Sequence, residues 1–98
     1  MRKMTDGKTT LNILEWIIVK GIFWEYYVFE KWNEDNCAYC LVDGDFQEIG
    51  LVSLDEIKPY ISASTKDLKK VQPAPGWRWI DQISDNYKQN NEEKNENN

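Results

Sequence analysis

WEYYVFEKWNEDNCAYCLVDGDFQEIGLVSLDEI, residues Trp24 to Ile57, decides how this chain folds. Around its start, large apolar side chains alternate with period two. Trp24, Tyr26 and Val28 fall on one face of an extended strand over Ile22 to Trp32, and Phe23, Tyr27 and Phe29 on the other. The polar run Asn33-Glu34-Asp35-Asn36 reads as a connection, and Cys37 to Val42 as a second strand. Asp43-Gly44-Asp45 reads as a turn in which Gly44 is free to take positive φ, and Phe46 to Val52 as a third strand. Connections this short cannot make parallel crossovers, so the pattern predicts an antiparallel meander. Ser53-Leu54-Asp55-Glu56 then has the spacing of a capping box, with Ser53 accepting from the backbone N–H of Glu56. The helix it opens is short, because Pro59 would break a longer one.

Working outward, Ile13 to Val19 is apolar at nearly every position and admits a strand or a helix. The β-branched cluster Ile17-Ile18-Val19 favours a strand, with Lys20-Gly21 as the turn into the next one; a helix from Thr9 to Lys20 is the alternative. Ser64 or Thr65 is expected to start a further helical turn holding Leu68 and Val71, ended by Pro73-Ala74-Pro75-Gly76. Trp77-Arg78-Trp79-Ile80 reads as a last strand with both tryptophans on one face. Residues 1–9 are polar and expected to be a flexible N-terminus. The stretch 85–98 has one aromatic residue, Tyr87, among Asn, Gln, Glu and Lys, and is expected to be a disordered tail. The fold class is therefore α+β: one domain over 10–84, a small antiparallel sheet with one or two short helices.

Composition removes several functions. The chain has no histidine among its 98 residues, so Ser-His and Cys-His nucleophile pairs are impossible. Cys37 and Cys40 form a lone Cys-x-x-Cys without the second pair a zinc ribbon needs. They fall on a strand, where residues three apart face opposite ways, so two reduced, packed thiols are expected. Asp43 and Asp45 flank Gly44 and have ligand chemistry for Mg²⁺ or Ca²⁺, but no further calcium-loop pattern follows and Asp-Gly-Asp is more often a plain turn. The apolar run Leu11 to Phe29 is interrupted by Glu15, Lys20 and Glu25 and does not read as a membrane span; Arg2, Lys3 and Lys8 precede no cleavage signal. These features point to a protein of the cytoplasm that is not an enzyme and takes no cofactor or metal; the alternative is a small metal-dependent or redox enzyme, with redox or intersubunit metal chemistry at Cys37 and Cys40.

Charge is segregated. Residues 1–20 carry net +2, 21–56 carry −8, 57–80 carry +4 and 81–98 carry −3. The acidic stretch suggests a face that steers onto a basic protein surface. The candidate contacts are Glu34, Asp35, Asp43, Asp45 and Glu48, with Trp24 and Tyr26 as aromatic anchors. Neither a membrane nor direct nucleic-acid binding fits, since base-stacking aromatics are usually flanked by Lys and Arg rather than by Glu25 and Glu30. The competing reading is that these carboxylates only solubilise turns and outer strand positions.

Two resemblances bear on function. Trp24-Glu25-Tyr26-Tyr27-Val28-Phe29-Glu30, Leu41-Val42-Asp43-Gly44 and Glu48-Ile49-Gly50-Leu51-Val52-Ser53-Leu54-Asp55-Glu56-Ile57 resemble a family of small proteins of unknown function carried by bacterial plasmids, phages and other mobile elements. Leu51 and Val52 stand where that family has an aromatic pair, and its Pro-rich start is not visible. The resemblance implies a bacterial or phage setting and transfers no catalytic residue; that setting taken with the acidic stretch suggests a protein-binding role in a bacterial host cell, such as inhibition of a host defence or nucleic-acid-processing protein. A strand, an acidic turn, another strand and Leu54-Asp55-Glu56-Ile57-Lys58-Pro59 also resemble the end of a Tudor-like or SH3-like barrel. That likeness implies an aromatic-cage peptide-binding module.

Overall fold

The alternating residues do form strands, and the strands assemble into two antiparallel sheets rather than one. The computed structural model describes residues 1–82, and the tail expected at 85–98 lies outside the described residues. In chain order the strands are β1 (Arg2–Thr5), β2 (Thr10–Ile13), β3 (Glu15–Val19), β4 (Glu25–Val28), β5 (Cys37–Asp43), β6 (Gln47–Ser53), β7 (Ile61–Thr65) and β8 (Arg78–Trp79). A short helix α1 (Leu54–Ile57) and a 3-10 turn (Lys58–Tyr60) connect β6 to β7. The larger sheet has the order β6-β5-β4-β3-β7 and the smaller one β2-β1-β8. The predicted meander is β4-β5-β6, extended by β3 on one side, and the whole is a small α+β fold.

Strand β4 explains why there are two sheets. Tyr26 and Val28 point one way and Tyr27 the other, and all three are buried. One face of the larger sheet packs Ile17, Val19, Tyr26, Val28, Cys40 and Val42, closed over by Leu54, Ile57 and Ile61. The opposite face packs Tyr27 and Leu41 against Met4, Ile13, Trp77 and Trp79 of the smaller sheet. The chain crosses between sheets at Leu14, whose N–H donates to the Val28 carbonyl at 2.8 Å.

Several expectations are corrected. The segment 1–9 contains β1, with Met4 fully buried, because β1 is the central strand of the smaller sheet. Residues 64 and 65 end β7 instead of starting a helix, because β3 offers an open edge that Ile61–Thr65 fills. Leu68 to Val71 forms only a turn, with the Val71 N–H donating to the Leu68 carbonyl at 3.2 Å. The aromatic strand spans Glu25–Val28 and not Ile22 to Trp32; Phe23 sits at φ 56° in the hairpin connection and is exposed. The last strand stops at Trp79, and Ile80 turns helical. The alternative of a helix over 9–20 is settled for strands β2 and β3.

Arg2 ties the ends of the described chain together. Its Nε and one terminal nitrogen donate to both Asp81 oxygens at 3.0 Å, and the other donates to the Leu68 carbonyl at 2.9 Å. The guanidinium also lies 4.5 Å from the centre of the Trp79 ring. Its bonds hold the Asp81 carboxyl below the usual carboxylate range. That contribution is therefore complete above pH ~4 and is lost as acid protonates Asp81. Because Asp81 is exposed, the pair itself is worth at most ~1 kcal/mol. The bond to Leu68 and the ring contact add about 2–3 kcal/mol. Urea unfolding at neutral pH should thus find Arg2→Ala clearly destabilised and Asp81→Asn barely so; equal costs would show that the ion pair, not the packing, fixes this end.

Candidate partner-binding site

The sheet register gathers part of the expected site. On the face that holds Tyr26, cross-strand pairing sets Ile17, Tyr26, Val42 and Glu48 in one row across four strands. At the β6 end of that row a cleft of about 200 Å³ opens, lined by Trp24, Tyr26, Val42, Glu48, Gly50 and Glu56 among others. Both titratable carboxylates of the lining are exposed, and no Lys or Arg lines the cleft. Burial lifts the Tyr26 hydroxyl above its ordinary range, with a smaller push from Cys40.

Trp24 is held in place by Gly44. A Cβ on Gly44 would lie 2.7 Å from Cδ2 and Cε2 of the Trp24 indole, so the ring rests directly on the turn backbone. Gly44 is thus required for close approach, and not for the positive φ expected of it: the glycines in that region are Gly7, Gly21 and Gly76. Asp45 is exposed in the same turn, and Asp43 is half-buried beside it.

The other expected contacts are not brought together. Glu34 and Asp35 are exposed in the 33–36 connection, which precedes β5, whereas Asp43 and Asp45 follow it. Seven residues of extended strand separate the two groups by about 20 Å, since a strand rises ~3.4 Å per residue. The expected site therefore divides into Trp24, Tyr26, Asp43, Asp45 and Glu48 at one end and Glu34 with Asp35 at the other. Sequence reasoning missed Gly50 and Glu56 as parts of the cleft. Period-two reading of β6 from Glu48 places Gly50 on the same face; Glu56 was read only as part of a helix cap. The cap itself is present, with the Glu56 N–H donating to Ser53 Oγ at 3.4 Å.

Several other acidic residues serve the fold. Glu25 accepts from Trp16 Nε1 at 2.9 Å, and the same carboxylate oxygen lies 3.4 Å from the Tyr27 hydroxyl. Glu15 accepts from Trp32 Nε1 at 3.1 Å, and Glu30 from the Tyr39 N–H at 3.1 Å. The cysteines diverge as strand alternation requires: Cys37 pairs across from Ser53 and is half-buried, while Cys40 is fully buried opposite Gly50. Burial pushes the Cys40 thiol up to about 12, helped by Glu15 and Glu30. Comparison with protein-family models, curated proteins and solved structures finds no match to this chain.

Two outcomes check this geometry. Gly44→Ala should lower stability by about 1–3 kcal/mol in chemical denaturation, because the indole must move off its seat. A neutral result would mean that Trp24 relocates freely. Titration with a thiol reagent at pH 8 should modify Cys37 in the native protein and Cys40 only after denaturant is added; rapid modification of both would contradict the buried position of Cys40.

Proposed function

We propose that this is a non-enzymatic interaction protein whose acidic, aromatic end engages a basic surface on a protein partner. The observation that carries the reading is the cleft in which Trp24 and Tyr26 lie beside Glu48 and Glu56 with no base among its lining residues. Aromatic faces attract cations, and nearby carboxylates strengthen that attraction while steering approach from a distance. The setting suggested by the Trp24–Ile57 resemblance is a phage or mobile element in a bacterial cytoplasm. Inhibition of a host defence or nucleic-acid-processing protein, whose own working surface is basic, fits such a face. No helix among the described residues is long and apolar enough to cross a membrane.

A second reading is favoured by the return of β7. After the helical turn it crosses to pair with β3, giving the order β6-β5-β4-β3-β7. That connectivity resembles an SH3-like or Tudor-like barrel, and we read it as support for a peptide-binding module in which the same cleft takes a cationic side chain. Both readings place the contact at one end of the sheet.

Charge reversal separates the two acidic ends. Asp45→Lys with Glu48→Lys should slow association with a partner captured from a bacterial host lysate by about tenfold, and should flatten its dependence on salt. Glu34→Lys with Asp35→Lys, at the far end of β5, should change the rate by less than about twofold. Equal slowing by both pairs would remove the assignment to this end, and no change with either would leave the carboxylates as solubilising groups.

A further inference from the structure

Strand β6 is an edge strand with only β5 beside it, and Glu48 is its one charged residue. It is seven residues long and pairs with β5 without a register shift. It contains neither Lys nor Pro. The opposite edge, β7, also lacks Lys and Pro but differs in that a register shift interrupts its pairing with β3 between Ile18 and Val19. Proteins commonly blunt edges with such devices, because an open row of N–H and C=O groups recruits another strand.

Gly50 sits in the middle of β6 without an internal reason to be glycine. A Cβ there would meet no atom within 4 Å, and its φ is not positive. Glycine weakens a strand interior, and a common reason for it there is close approach by another backbone or a ligand. No such neighbour lies over Gly50 within the described chain. The two faces flanking the edge differ in chemistry. On one side Gly50 and Glu48 form the floor of the Trp24 cleft. On the other, Tyr39, Ile49 and Leu51 form an exposed apolar strip, each between 44% and 59% accessible. Cross-strand pairing sets Tyr39 opposite Leu51 and Leu41 opposite Ile49, so the strip is continuous with the core beneath.

We propose that the free edge of β6 is a docking site for an extended partner segment in which apolar and basic residues alternate, added to the larger sheet as a further strand. The inference rests on the basic-partner reading above and specifies the partner's form. Alternation follows from the pleat: residues facing one way would extend the Tyr39-Ile49-Leu51 strip, and those facing the other would pass over Gly50 toward Glu48 and Glu56. Charge selects this occupant over a second copy of the chain. Antiparallel self-pairing about Gly50 would set the Asp45 turn of one copy beside Asp55 and Glu56 of the other, like charges without a base between them.

Two synthetic peptides of equal composition test the proposal, one with Lys and Val alternating and one with the same residues in two blocks. The alternating peptide should bind about tenfold tighter than the block peptide. It should also slow amide exchange along β6 selectively. Gly50→Val, which meets open space and favours a strand, should stay folded and lose that preference. Leu51→Lys, at an exposed position, provides a second variant that blocks the edge with a charge. Equal binding of both peptides would overturn strand docking while leaving the acidic-face reading in place. Binding of neither would overturn both. Protection of β6 without peptide, accompanied by a doubling of mass in sedimentation, would assign the edge to a second copy and overturn the proposal.

Discussion

Two-sided burial of β4 is the constraint on which the rest of the structure depends. Consecutive residues Tyr26 and Tyr27 must point to opposite faces of an extended strand, and both are buried. One sheet with one wet face cannot satisfy both. The chain meets the demand with α1 and the 3-10 turn over one face, and with the smaller sheet and the 66–79 segment over the other. Tyr27 fastens the second cover directly: its hydroxyl donates to the Gln72 carbonyl at 3.0 Å. Burial, with Glu25 and Asp43 nearby, raises that hydroxyl well above its ordinary range, so it remains a donor at any pH the protein meets.

The acidic residues divide by what they touch. Glu15 and Glu25 satisfy indole N–H groups that would otherwise be partly buried without acceptors, and each such bond to a charged acceptor is worth about 1.5–3 kcal/mol. This offsets an unfavourable feature of the register, which sets Glu25 directly across from Asp43. Asp45, Glu48 and Glu56 accept no hydrogen bond from a side chain among those described and stand exposed around Trp24 and its cleft. Net charge along the sequence therefore overstates the face available to a partner.

Much of the larger sheet was legible because strand alternation is a local property. The runs around Tyr26, Cys40 and Leu51 carry it, and Ser53 with Glu56 marks the following helix. What escaped were pairings that depend on distant segments. Arg2–Thr5 shows little hydrophobic pattern, since Met4 is its single buried residue; it becomes a strand because Trp79 and Leu11 flank it. Ile61–Thr65 is a strand because β3, paired with β4 on one side, has its other edge open, a fact nowhere visible in Ser62-Ala63-Ser64. The grouping of the candidate contacts depends on distance in the same way. Glu34 and Asp45 are close in sequence and charge, yet a straight seven-residue strand holds them apart.

The apolar strip on β5 and β6 follows from how little chain is available to cover a five-stranded sheet. Small domains leave a larger share of their surface in water, and here the outer cover is a three-stranded sheet whose last strand has two residues. Its position is fixed by two bonds at the end of β6 nearest the Asp45 turn. Trp77 Nε1 donates to Gln47 Oε1 at 2.8 Å, and Gln47 Nε2 donates to the Pro75 carbonyl at 2.8 Å. The cover therefore reaches Leu41 and stops, leaving Ile49, Leu51 and Tyr39 half in water. Exchanging those three for polar residues would cost the fold little, since none closes either core. A sequence under pressure for stability and solubility alone would have made that exchange, and would have placed a β-branched residue at position 50 as well. Both features lie along one edge, the one where an added strand would find open backbone groups and an apolar strip side by side.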